Sequence, residues 1–197
     1  MIDQLVARCT DFCHNLIGTK INGKDGVMWL KNSGTPDWRQ MEWQGFYYEH
    51  TLRNALFNGE TGPFESDAFD RELGVPIEIK SHWNMSKSKE ILLNSVENTN
   101  QIIEKYNEIF VINVFYDGTP DYSGDFRNWH HMLKGGNSTN YVGAYHRLRK
   151  ADARVTSIKF FPLNADLLKV CGIMRRNGNE KYKISLSMID KIGFTIQ

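Results

Sequence analysis

The sequence lacks what would make it a membrane protein or a disulfide-framed one. No apolar run approaches the ~18 residues that a membrane span needs. Cysteine is scarce, at three residues, an odd count with no paired spacing of the zinc type. Cys9 and Cys13 lie four apart, on one face of a helix, and Cys171 is remote. Reduced thiols in a cytoplasmic protein are therefore expected, with Cys9 and Cys13 in the core. The first residues, Met1-Ile2-Asp3-Gln4-Leu5-Val6, do not follow the basic-then-apolar build of a secretion signal. Internal repeats and low-complexity tracts are also missing. What is present suffices for a real core: 41% hydrophobic against 24% charged residues excludes overall disorder. At 197 residues, a single domain over 1–197 is expected.

Net charge is nearly absent too, at +1, but its distribution is uneven. Met1 to Phe126 holds 11 Lys/Arg against 19 Asp/Glu, whereas Arg127 to Lys183 holds 12 against 3. A cationic segment in an otherwise acidic chain suits an anionic partner, nucleic acid before membrane, since no amphipathic anchor accompanies it. A solvated basic face would give the same count.

The hydrophobic pattern predicts helices over 3–17 and 36–57, the latter stopped by Asn58-Gly59, with a loop over 19–37 between them. It then predicts a hairpin of strands 67–71 and 75–81 around Leu73-Gly74, a helix over 86–106, and a buried strand over 108–116. Farther on it predicts a short helix over 138–151, a strand over 155–161, a helical piece over 165–170 and an edge strand over 181–187. The order ααββαβαβ implies a mixed α/β fold: one central β-sheet flanked by helices.

The hairpin carries the chemistry. On its second strand Ile77 and Ile79 face one way, Glu78 and Lys80 the other. The first strand brings Asp67 to the same end as Glu78. Two convergent carboxylates suit a hard divalent cation held through oxygen, Mg²⁺ or Mn²⁺. A lysine beside them can hold an attacking water and offset phosphate charge. Asp70 is the rival first carboxylate, but it has opposite strand parity and lies nearer the turn.

This arrangement of Asp67, then Glu78-Ile79-Lys80, resembles the PD-(D/E)XK nuclease superfamily over about residues 36–116. One position departs: Ser66, not Pro, precedes Asp67. The resemblance implies a restriction-endonuclease-like fold and a Mg²⁺-dependent endonuclease acting on double-stranded DNA, with Asp67 and Glu78 as metal ligands and Lys80 as the water-positioning cation. It also implies a supporting glutamate from the helix before the hairpin, which Glu49 matches, with Glu42 as the fallback. A type II restriction enzyme acting as a C2 homodimer is the expected form. A repair or junction-type nuclease on the same fold, and a non-catalytic nucleic-acid-binding protein, are the alternatives.

For DNA contact the expected residues are Asn137, Asn140, Arg147, Arg149 and Lys150 in the basic segment over 127–183, with His82 just past Lys80. Lys87 and Lys89, at the expected start of a helix, could meet a phosphate. Trp129-His130-His131 faintly suggests a ββα-metal nuclease, but the second histidine and hairpin of that pattern are missing.

Overall fold

The computed structural model describes residues 1–137, 149–176 and 178–197. It is a mixed α/β fold, in which the described residues form seven α-helices and nine strands in two sheets. The larger sheet runs β2 (Ala68–Asp70), β3 (Val75–Trp83), β5 (Glu108–Asp117), β6 (Asp152–Asn164) and β1 (Lys20–Asn22), and β9 (Phe194–Ile196) also pairs with β6. β3 and β5 are parallel and every other pairing in this sheet is antiparallel. β5 lies between β3 and β6, and its residues Ile109 to Tyr116 are all buried, an apolar run interrupted only by Asn113, as a strand between two covered faces requires.

One face of this sheet packs against α1 (Ile2–Leu16), α2 (Gly23–Asn32), α3 (Trp43–Leu56) and α5 (Asp125–Leu133). Cys9 and Cys13 are fully enclosed there, and burial pushes their thiols up to about 11 and about 12. The other face packs against α4 (Val96–Tyr106), α7 (Leu186–Ile192) and the smaller sheet, ordered β4 (Glu90–Ser95), β8 (Asn179–Ser185), β7 (Gly172–Arg176). α6 (Ala165–Leu168) follows β6. Among the described residues no helix is long and apolar enough to cross a membrane.

The structure differs from the sequence-based expectation in several places. The helix expected over 86–106 is a strand followed by a helix. Ile91 and Leu93 are buried while Glu90 and Leu92 point out, a period of two. The helix begins only where the Ser95 hydroxyl caps it by accepting from Asn98 N. Lys87 and Lys89 consequently precede a strand rather than open a helix. The loop expected over 19–37 holds β1 and α2, the latter capped by Asn22. The helix expected over 36–57 is broken: Pro36–Arg39 form one 3₁₀ turn capped by Thr35, and α3 starts at Trp43. Its end is as expected, with Asn58 and Gly59 both in the left-handed region. The strand at 181–187 is the middle strand of a second sheet, not an edge of a single one. Residues 125–133, unassigned from sequence, form α5. The helix expected over 138–151 falls mostly outside the described residues, and Arg149 and Lys150 are not helical.

Candidate active site

β2 pairs with β3 only from Val75 to Ile77, so β3 runs on past its neighbour. Asp67 lies one step beyond the last pair, Ala68 with Ile77, and therefore opposite Glu78. Its carboxylate does what the missing strand would have done: Oδ2 accepts from the Ile79 amide at 2.6 Å. A tight turn delivers it there. Phe64 and Glu65 both adopt left-handed backbone, φ 51° and 60°, unusual for residues with a Cβ. Ser66 N and Oγ both donate to the Pro63 carbonyl, and Gly62 N donates to Ser66 O. A Cβ at Gly62 would run into Ser66 Oγ and the Ala68 carbonyl, so the turn closes only around glycine.

Lys80 is the hub. Its Nζ lies 3.0 Å from Asp67 Oδ2, 3.0 Å from Glu78 Oε1 and 3.0 Å from Asn94 Oδ1, which engages all three ammonium donors. Burial alone would lower its pKa, but the Glu78 and Asp67 carboxylates outweigh that and hold it above the ordinary lysine range. It is therefore a fixed cation at neutral pH. Glu78 is fully buried; burial pushes its pKa up, and Lys80 pulls the other way. Its Oε1 also accepts from Asn94 N at 2.6 Å, while its Oε2 has no hydrogen-bond partner. A buried carboxylate oxygen without a donor is costly, and native structures keep few of them.

Asn94, on β4, was not read from the sequence. Beyond its contacts to Glu78 and Lys80, its Nδ2 donates to the Glu65 carbonyl at 3.2 Å, tying the Asp67 turn to the cluster. Asn98 adds a bond from Nδ2 to Glu65 Oε2 at 2.7 Å. The signal that could have found Asn94 is the cap beside it: placing the helix start at Ser95 frees residues 90–94 to be a strand.

Glu49, one helix away on α3, faces the cluster from the other side. Its carboxyl is pushed up to about 7, first by burial and then by the Asp67 charge, with Arg53 and Lys80 opposing. Arg53 Nη1 holds Glu49 Oε1 at 2.9 Å and reaches the Asp67 carbonyl at 3.3 Å. Arg53 Nη2 lies 2.8 Å from His50 Nδ1, so that nitrogen must accept; His50 then carries its proton on Nε2, 2.9 Å from Asp37 Oδ2.

The other expected residues are elsewhere. Asp70 is a turn brace: buried, paired with Arg8, and accepting at Oδ1 from Glu72 N at 3.1 Å and Leu73 N at 3.0 Å. Glu42 stands at the start of α3, away from the cluster. His82 is buried against the Phe115 ring. His130 is fully buried: Arg149 Nη1 donates to its Nδ1 at 3.1 Å, so its Nε2–H donates to Trp38 O at 2.7 Å. Burial lowers its pKa to about 4, as befits a neutral packing residue. Arg149 is thus a buried partner of His130 rather than an exposed reader. Lys150 anchors α3 through its carbonyl, which accepts from Trp43 Nε1 at 3.1 Å and Gln44 Nε2 at 3.4 Å. Asn137 is exposed, and Asn140 and Arg147 lie outside the described residues.

Among the described residues no group of three or more His, Cys, Asp or Glu side chains is gathered closely enough to hold a metal ion. The acidic donors that do converge are two, Asp67 and Glu78, with Lys80 between them. Asp67 and Glu78 are the side chains that could hold Mg²⁺, which takes one or two carboxylates and fills its remaining positions with water and substrate phosphate. The unpartnered Glu78 Oε2 is the observation that supports the fit. Comparison with protein families, with curated proteins and with solved structures finds no match to the chain.

Proposed function

We propose that the protein is a Mg²⁺-dependent endonuclease that hydrolyses phosphodiester bonds in double-stranded DNA, built on the PD-(D/E)XK pattern and acting as a homodimeric type II restriction enzyme. The observation that carries this reading is the Lys80 ammonium held at 3.0 Å by both Asp67 and Glu78 while one Glu78 oxygen stays unpartnered. The order α3, β2, β3, β4, α4, β5 also frames the two carboxylates between a helix that carries Glu49 and a parallel strand pair.

Asp67 and Glu78 would hold the cation. A bound Mg²⁺ or Mn²⁺ supplies charge neutralisation at the phosphate and lowers the pKa of a bound water. Lys80, kept cationic by its two carboxylates, would offset the negative charge of the attacked phosphate, and would orient a water only by giving up one of its three present contacts. Asn94 fixes the Lys80 ammonium and the Glu78 carboxylate in one geometry. Glu49, at about 7, adds a carboxyl whose charge depends on what binds beside Asp67. The site is acidic, so affinity for the DNA backbone has to come from the cationic segment from Arg127 to Lys183.

The test is incubation of the metal-free protein with phage DNA, with Mg²⁺, Mn²⁺, Ca²⁺ or EDTA added. Discrete fragments with Mg²⁺ or Mn²⁺ and none with EDTA are expected, with Ca²⁺ giving binding but no turnover. A smear means a nuclease without sequence preference. Retained DNA binding with no cutting under any metal overturns the enzymatic reading in favour of a binding protein.

A further inference from the structure

Trp83 and Tyr116 are partners in the β3–β5 register, at the C-terminal ends of the two parallel strands. A cleft of about 680 Å³ opens there, between the start of α3 and the turn joining β3 to β4. That volume is in the range of small-molecule sites, and parallel strand ends are where α/β sheets commonly bind ligands. None of Glu49, Asp67, Glu78 or Lys80 lines it. Its walls are of two kinds. Trp83, Tyr116, Met41 and Met85 give apolar surface, and Met85 is 68% exposed at the mouth. Lys87, Arg149 and Lys150 give positive charge against the single carboxylate of Glu42. The two kinds meet at Lys150, whose Nζ lies 4.4 Å from the Trp83 ring centroid.

We infer that this cleft is a nucleotide pocket, with the base against Trp83, Tyr116 and the methionines and the phosphate against Lys87 and Lys150. A sugar phosphate has no use for the apolar wall, and an uncharged aromatic ligand has none for the cations. A nucleotide uses both, because every base offers a flat face for stacking and every phosphate an anion. The source of the nucleotide follows from position. Trp83 is three residues beyond Lys80 on one strand, about 10 Å, or roughly three base-pair steps of DNA. A nucleotide of the DNA held at Lys80 enters the cleft only once its base has left the stack. That assignment to extruded DNA rests on the nuclease reading; the chemistry of the pocket does not.

The experiment titrates the metal-free full chain with each deoxynucleoside 5′-monophosphate and, as a control without a base, with deoxyribose 5-phosphate. A second arm compares matched duplexes with duplexes carrying one mismatch, since an unpaired nucleotide is easier to extrude. Expected are monophosphate affinities near ~1 mM, about tenfold tighter than the baseless control. Lys87→Ala and Met85→Ala, both in the exposed rim, should each weaken binding several-fold with unchanged melting temperature. Mismatched duplex should bind tighter than matched, and monophosphate should compete. Equal binding of the control, or monophosphate binding that neither variant changes, overturns the pocket even if Mg²⁺-dependent cutting is found. Monophosphate binding without mismatch preference supports the pocket and makes free nucleotide its occupant. Monophosphate binding in a protein that never cuts DNA also supports the pocket, while the nuclease reading fails separately.

Discussion

The two ends of the β2–β3 hairpin hold one aspartate cluster each, with Asp70 buried and Asp67 partly buried, and they are built differently. At the turn end, Asp70 accepts from two backbone amides and pairs with Arg8, a guanidinium that also reaches Glu72. At the open end, Asp67 and Glu78 share one ammonium, and Glu78 Oε2 is left with nothing. Both ends bury carboxylates in one short stretch of chain. The first arrangement compensates its charge with dedicated donors and closes a turn. The second crowds negative charge, pushes Glu78 upward through burial and leaves an acceptor open. Each end has one buried carboxylate oxygen without a hydrogen bond, but Asp70 Oδ2 lies against the Arg8 guanidinium, whereas the Lys80 contact of Glu78 runs through Oε1 and leaves Oε2 aside.

The sharpest way to break this contrast is to remove the open-end groups singly. Asp67→Ala, Glu78→Ala and Lys80→Ala should each cost at least ~10²-fold in single-turnover cleavage by folded protein. If all three cut like wild type, the open end is only an ion cluster. The turn end should respond in stability instead. Asp70→Ala leaves two amides and Arg8 without their partner and should cost about 2 kcal/mol in denaturant unfolding. Its cleavage rate should stay within ~3-fold of wild type. An Asp70 variant that loses cutting but not stability would reverse the assignment of the two ends.

The third prediction uses pH. Burial and the Asp67 charge raise Glu49 to about 7 in the folded protein, above the ~4.3 of an unfolded carboxyl. The native state therefore holds an extra proton between these values. The resulting stability is fully present below about 4.3 and is lost as pH rises through about 7. Glu49→Gln stays neutral throughout, so its stability relative to wild type should rise across that window, by up to ~3–4 kcal/mol, and level off above it. Parallel stability curves for the two proteins would show that Glu49 does not feel the cluster. The smallest expected effect is at Asn94. Asn94→Ala keeps the amide that binds Glu78 but removes the Lys80 contact. It should lower the turnover rate ~3–10-fold with KM unchanged, about 1 kcal/mol for one hydrogen bond to a charged group.

Much of this organisation is legible in local patterns. α1 follows from Leu5, Cys9 and Cys13 at helical spacing, and β5 from an apolar run broken only by Asn113. The Asn58-Gly59 stop is equally plain. The order of Glu78 and Lys80 along β3, and the parity that separates Asp67 from Asp70, need only the two-residue period of a strand. Residues 86–106 are ambiguous in sequence because Ile91, Leu92, Val96, Ile102 and Ile103 satisfy a helical spacing as well as they satisfy a strand followed by a helix. The Ser95 cap and the cover of a second sheet decide between them.

The sequence by itself determined the mixed α/β class, the burial of Cys9 and Cys13, and the presence of two carboxylates and a lysine on one hairpin. These depend on periodicity and turn chemistry, which act over a few residues. Only the tertiary structure decided which polar groups go unpaired and which become braces. Arg8 reaches Asp70 across 62 positions, Arg149 reaches His130 across 19, and Asn94 returns on β4 to clamp Glu78 and Lys80. Whether a buried charge is satisfied depends on every group packed around it, and those groups come from distant parts of the chain. Local sequence can place a carboxylate on a strand face, but its surroundings set its charge and its free lone pairs.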